Sequence, residues 1–172
     1  MKIVQEHSLI ATVERMDALD DIEAQALMER FAEKQPYVLG YIMAMEEDFD
    51  DLDDFQHLLQ LVVTIWLAFM EEFGSLPVVR EDQIEQKETR AIKAIQGMDN
   101  LTEDQMIEVA LKMFEELVQP VLLQFVSDEL ISLEEEGALA KGEIAAGQMF
   151  PILKMIVELF DDAVNRPSMR IV

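Results

Sequence analysis

Cysteine is absent from the sequence, and histidine, tryptophan, glycine and proline are rare, with two, one, six and five copies among 172 residues. Without cysteine the chain has no disulfide, no thiol nucleophile and no thiolate metal ligand. Two histidines are too few to indicate a nucleophile and base pair, and neither a glycine-rich phosphate loop nor a Gly-x-Ser-x-Gly motif occurs. The sequence therefore gives no sign of the common catalytic classes.

Basic residues are also scarce. Thirteen lysines and arginines stand against 36 acidic residues, which gives a formal net charge of −23 at pH 7. A field of that sign repels phosphate backbones, so direct binding of nucleic acid is not expected. The same field favours cations and basic protein partners.

Long hydrophobic segments are missing as well. The longest apolar run, Leu58 to Met70, contains Gln60 and Thr64 and is shorter than the ~20 residues that cross a bilayer. The first residues, MKIVQEHSLI, lack the apolar core of a signal peptide. We therefore expect a cytoplasmic protein with no membrane partner.

The residues that are abundant favour helices, since Ala, Leu, Met, Glu and Gln fill the stretches between sparse glycines and prolines. About half of the residues are apolar (51%), which is enough for one domain over residues 1–172 with its own core. We predict an all-α bundle of about six helices. They cover residues 19–33 with Asp17 as cap, a segment after Pro36, residues 52–73, 81–97, 102–136 with a break at Pro120, and 142–164.

Two parts of the chain resemble each other. Both begin with Met-Asp, continue to Ala-Leu and reach a Gln-Pro pair, Gln35-Pro36 in the first and Gln119-Pro120 in the second. This order predicts an internal duplication with units 16–74 and 98–164, joined by a surface helix at about 80–97. The alternative is that two helical hairpins share composition by chance.

The stretch EEDFDDLDDFQH, residues 46–57, places seven carboxylates before His57. It does not fit a calcium EF-hand loop, because leucine and aspartate stand where an oxygen ligand and glycine are needed. DFQH is one imperfect copy of the paired Glu-x-x-His motif of di-metal bundles, and EQKE at 85–88 is half of a pyrophosphatase-like magnesium motif. The alternative is that these acids cap a helix at Leu52 and complement its dipole.

Six residues remain as candidate ligands for a divalent cation, the only cofactor that the sequence suggests. Four of them form pairs at matching ends of two apolar helices, where carboxylates oppose the helix dipole and a cation would relieve the repulsion. Solvated helix ends and a packed histidine are the alternative. The candidates are Asp54, His57, Glu71, Glu72, Asp161 and Asp162.

Two classes of function follow from these observations. The favoured class is a non-enzymatic acidic helical protein that binds a basic or amphipathic protein partner, as an adaptor, chaperone-like factor or regulator. Mimicry of nucleic acid toward a DNA-binding protein is one form of it. The alternative is a divalent-metal-dependent helical hydrolase that uses the clustered carboxylates. A homodimer is compatible with both, and the similar ends MKIV and MRIV could pair as a short ribbon.

Overall fold

The computed structural model describes residues 1–98 and 100–166. This part of the chain is all-helical, which confirms the predicted class, and it holds eight α-helices and one short 3₁₀ turn at Glu46–Asp48. The α-helices are α1 (Glu6–Asp17), α2 (Asp21–Lys34), α3 (Pro36–Met43), α4 (Leu52–Phe73), α5 (Glu81–Met98), α6 (Glu103–Glu115), α7 (Pro120–Glu135) and α8 (Glu143–Asn165).

The described residues therefore hold two more α-helices than the six expected from the sequence. One is α1, which the sequence pattern did not indicate. The other arises because the long tract 102–136 is two helices, α6 and α7, that are separated before Pro120. Proline lacks a backbone N–H and disfavours helical backbone in the residue before it. Gln119, the residue before this proline, has φ 53°, in the left-handed region, so right-handed helical backbone does not continue through it.

The start of α2 also differs from the prediction, because Asp17 is the last residue of α1 and Asp20 caps α2. Asp20 and Glu23 form a capping box, in which the backbone N–H of Glu23 donates to Asp20 Oδ1 at 2.8 Å and that of Asp20 donates to Glu23 Oε2 at 3.0 Å. This reciprocal pair satisfies two donors that would otherwise be unpaired at the helix start.

Helix α4 has the bounds that the sequence predicts. Asp51 caps it by accepting the backbone N–H of Asp53 at 2.8 Å, and Gly74 ends it with φ 72°. Acids in the first turn need no metal to be stable there, since they complement the positive end of the helix dipole. Most of α4 is buried, including every residue from Leu61 to Phe69.

The core lies around α4 and α8. Phe69 of α4 and Phe160 of α8 are both buried, and their rings pack edge to face with centroids 5.7 Å apart. Full burial of one such side chain stabilises the fold by about 1.5 to 3 kcal/mol. Helix α1 packs along α4, and α5 and α7 pack along α8. None of the helices in the described part of the chain combines the length and hydropathy that a bilayer span requires.

Candidate interaction groove

Gln119 ties the first residues of the chain to the start of α7. Its side chain is buried, accepts the backbone N–H of Val4 at 2.8 Å through Oε1, and donates through Nε2 to the carbonyl of Lys2 at 2.9 Å. Val4 itself is fully buried. The predicted ribbon partner, residues 169–172, lies outside the described residues. These bonds fix the start of α1 beside the start of α7.

From that point α1 and α7 run in the same direction on either side of a groove. The first turns of both helices line one groove, and their last turns line a second cleft. Val13, Phe125 and Glu129 contribute to both, so the two form one continuous surface, which we call the α1/α7 groove.

The groove has an apolar floor and an acidic rim. Its wider part has a volume of about 640 Å³, and Ile10 on its floor is 50% exposed. The apolar lining consists of Leu9, Ile10, Val13, Pro120, Val121 and Phe125, and the polar lining of Glu6, Glu14, Gln124, Asp128 and Glu129.

The other part of the groove, at the C-terminal ends of α1 and α7, is polar. It measures about 380 Å³, and His57 and Thr64 of α4 line it together with Asp17, Glu129 and Glu136. The C-terminal end of a helix carries roughly half a negative charge. Two such ends therefore add to the negative potential of the carboxylates.

The negative potential affects the pKa of Glu129. Burial raises the pKa of its carboxyl group first, and the negative charges of Asp17, Glu136 and Asp128 raise it further. Among the residues that the structure describes, no lysine or arginine lines either part of the groove. The described groove therefore offers apolar contact together with negative charge. This combination suits a partner that carries positive charge next to an apolar surface.

Of the six predicted metal ligands, Asp54 and Asp161 are buried and accept hydrogen bonds from the protein. Asp54 accepts the backbone N–H of Ala140 at 2.9 Å. Asp161 accepts Nε2 of Gln119 at 2.7 Å and Nδ2 of Asn165 at 2.9 Å. Both carboxylates therefore hold separate segments of the chain together.

The two pairs at the helix ends have different partners. Asp162 forms an ion pair with Lys87 of α5, with Nζ 2.7 Å from Oδ2. Glu72 accepts the backbone N–H of Gln5 at 2.9 Å, and the Ser8 hydroxyl and that backbone group lower its pKa. Glu71 is exposed.

His57, the sixth candidate, lies in the polar part of the α1/α7 groove. Within residues 1–98 and 100–166, no three histidine, aspartate or glutamate side chains are grouped so that they could hold a metal ion. The structure thus groups no three of the six predicted ligands in the part of the chain that it describes.

A second surface, which we call the α5/α8 face, has the opposite character. It is a pocket of about 280 Å³ that four cations line, Arg80, Lys87, Arg90 and Arg166, together with Asp82 and Asp162. Arg80 and Lys87 form ion pairs with Asp82 and Asp162 respectively. A large share of the 13 basic residues therefore gathers on a face away from the groove.

The sequence did not reveal the groove, although it contains part of the signal. Leu9 and Val13 are four residues apart on α1, and Val121 and Phe125 are four apart on α7, with acids beside each pair. What it lacks is any indication that Gln119 binds a segment 115 residues away. That contact, together with the packing of α1 on α4 and of α7 on α8, places the two helices on either side of the groove.

Comparison of the chain with protein-family models, curated proteins and solved structures gives no match. The class of protein therefore follows from fold and surface alone. The chain is an acidic all-α protein with an amphipathic groove between two parallel helices.

Proposed function

We propose that this protein is a non-enzymatic interaction protein whose α1/α7 groove binds a basic, amphipathic segment of a protein partner. The observation that carries the proposal is the lining of the groove, whose wider part joins six apolar residues to acids. Among the described residues, neither part is lined by a lysine or an arginine. An adaptor, chaperone-like or regulatory role is compatible with such a site. A cytoplasmic location stays a prediction.

The two kinds of lining have different tasks. Apolar contact with the floor supplies affinity, at about 25 cal/mol per Å² removed from water. The acidic rim steers a basic partner toward the groove and discriminates against acidic ones, chiefly through the association rate. Because the rim is exposed, this steering weakens as salt shortens the Debye length from ~10 Å at 0.1 M to ~3 Å at 1 M.

We also propose that the chain is a duplication of one helical unit. Gln35 and Gln119 make matching pairs of hydrogen bonds to extended segments, Gln35 to Pro77 and Val79, and Gln119 to Lys2 and Val4. The contact between Phe69 and Phe160, which align 91 residues apart, is a further support. On this view the unit of Gln35 includes residues 77–79 and α5, and the unit of Gln119 includes residues 2–4 and α1.

The test of function measures binding of a synthetic Lys/Leu amphipathic peptide by fluorescence anisotropy at about 150 mM salt. The groove variant combines Ile10→Ala, Glu14→Gln and Asp128→Asn, which change exposed positions. We expect it to bind at least about tenfold more weakly than the parent chain.

The matched control combines Ile22→Ala, Glu46→Gln and Glu47→Gln. It removes one isoleucine side chain, 81% exposed on α2, and two negative charges from the 3₁₀ turn, all outside the groove. We expect binding to be unchanged within about twofold. Equal weakening in both variants would show that general charge attraction binds the peptide and would refute the groove.

A further inference from the structure

The two ends of the α1/α7 groove differ in chemistry, and this difference gives the site a direction. At the N-terminal ends of both helices, Leu9, Ile10 and Val121 provide apolar surface. At the C-terminal ends, Asp17 and Glu136 provide negative charge. Acids lie at both ends, among them Glu6 at the first and Glu136 at the second, but the first end is mostly apolar and carries the positive ends of the two helix dipoles. The second end is mostly polar and carries the negative ends. A bound segment therefore meets more apolar surface at one end and a more negative potential at the other.

The shape of the groove favours a helix as occupant. Its walls are two parallel helices, whose backbone groups are already paired within each helix, so an extended peptide would find no edge to which it could bond. A third helix satisfies its own backbone and can pack its side chains between the two walls. Helix α1 has 12 residues, so the groove accommodates about 18 Å of helix, or roughly three turns.

The charge at the C-terminal ends sets the direction. A helix that runs antiparallel to α1 and α7 places its own N-terminus, which carries about half a positive charge, at that end. Lysine and arginine in its N-terminal half then lie close to Asp17, Glu129 and Glu136. Its C-terminal half covers the exposed Ile10 and the rest of the apolar floor.

We infer that the groove recognises an amphipathic helix in this one direction, with basic residues in its N-terminal half and apolar residues in its C-terminal half. This inference rests on the proposed function and specifies the partner that the groove admits. It requires discrimination between segments of equal charge and equal hydropathy, which general attraction to an acidic protein does not provide.

The test compares two synthetic peptides of identical composition, about 14 residues each. One has its lysines in the N-terminal half and its leucines and alanines in the C-terminal half, and the other has the reversed sequence. Both are acetylated and amidated, so that terminal charges do not decide the result. We expect the first to bind the parent chain at least about tenfold more tightly at about 150 mM salt.

A paramagnetic label at the N-terminus of the first peptide reports the direction. We expect it to broaden amide signals near Asp17 and Glu136 more strongly than those near Glu6 and Val121. The variant Asp17→Asn, Glu129→Gln, Glu136→Gln should reduce the difference between the peptides to about twofold or less. The variant Glu33→Gln, Glu46→Gln, Glu47→Gln, with the same loss of charge outside the groove, should preserve it.

The outcomes separate the inference from the proposed function. Equal binding of the two peptides, tighter binding of the reversed one, or stronger broadening near Glu6 than near Asp17 would overturn the direction but leave the function standing. If the peptide binds without a gain in the helical circular dichroism signal, it does not bind as a helix, and that part of the inference is wrong. If neither peptide binds, both the inference and the proposed function are wrong.

Discussion

Gln35 and Gln119 hold two extended segments by the same pair of hydrogen bonds, but the surroundings of the two side chains differ. Gln35 Nε2 donates to the carbonyl of Pro77 at 2.9 Å, and Gln35 Oε1 accepts the N–H of Val79 at 3.0 Å. Gln119 repeats this pattern with residues 2 and 4. In both places a proline follows the glutamine, and a helix begins two residues after the bound valine.

Gln119 makes an additional hydrogen bond that Gln35 lacks in the part of the chain that the structure describes. Its Nε2 also donates to the buried carboxylate of Asp161, which accepts a second bond from Asn165. Asn165 in turn bonds the backbone of Lys2 twice, accepting its N–H at 2.7 Å and donating to its carbonyl at 2.9 Å. The Gln119 contact is thus one part of a network that joins the chain's first residues, α7 and α8.

The outer surfaces near the two glutamines differ more than the contacts themselves. Helix α1, which follows the segment bound to Gln119, lines an acidic groove. Helix α5, which follows the segment bound to Gln35, contributes Arg80, Lys87 and Arg90 to a largely basic face. The two regions show that the buried contact fixes where each helix begins, whereas the exposed residues determine what the helix can bind.

The largest expected effect is the loss of the Gln119 contact. Gln119→Ala leaves the N–H of Val4 and the carboxylate of Asp161 buried with fewer partners, so we expect a loss of about 3 to 5 kcal/mol in the free energy of unfolding. Gln35→Ala leaves no buried carboxylate short of a donor and should cost about 2 to 3 kcal/mol. Urea unfolding measures both.

Gln56→Ala on the exposed side of α4 is the control for these variants and should change stability by less than about 0.5 kcal/mol. Equal losses for Gln119→Ala and Gln35→Ala would mean that the bond to Asp161 contributes nothing. A larger loss at Gln35 would contradict the account of the network.

The two buried valines test the similarity of the contacts. Val4→Ala and Val79→Ala each remove two methyl groups from fully buried side chains, and each should cost about 2 kcal/mol. We expect the two losses to agree within about 0.5 kcal/mol. If one variant is as stable as the parent chain, the two segments are not equivalent.

The smallest expected effect concerns Glu129. Burial and like charges raise its pKa in the folded protein. Its contribution to the free energy of unfolding is therefore fully present below the unfolded pKa of about 4.3 and is lost as pH rises through the folded pKa. Glu129→Gln should therefore raise the melting temperature at pH 7 but not at pH 3.5.

Glu47→Gln, which removes an exposed charge from the 3₁₀ turn, is the control for the general relief of charge repulsion. Its change in melting temperature is subtracted from that of Glu129→Gln. A stabilisation by Glu129→Gln that exceeds this control by the same amount at both pH values would contradict the pKa shift. Binding of a basic peptide should lower the pKa of Glu129, because a nearby cation favours the carboxylate.

The sequence predicts those parts of the fold that local signals determine. The bounds of α4 follow from an aspartate cap, a long apolar tract and a terminating glycine. Helix α1 escaped prediction because it buries only one large apolar residue, Leu9, beside the small polar Ser8 and Thr12. Its apolar pattern is weak, and its position depends on packing against α4.

The candidate site was less predictable than the fold, for a physical reason. The sequence identifies acidic clusters, but a carboxylate's role depends on its partners, which for Asp54 and Asp161 lie 86 and 42 residues away. The acids of the groove stand apart in the sequence, on α1 and α7. Long-range contacts bring those helices to one groove, namely the bond between Gln119 and Val4 and the packing of α1 on α4 and of α7 on α8.

The most direct test of the central claim is to map where a basic amphipathic peptide binds, from amide chemical-shift changes in the labelled protein at about 150 mM salt. We expect the largest changes in α1 and α7, with few on the α5/α8 face. Changes of similar size spread over the acidic surface, or concentrated outside α1 and α7, would contradict the central claim.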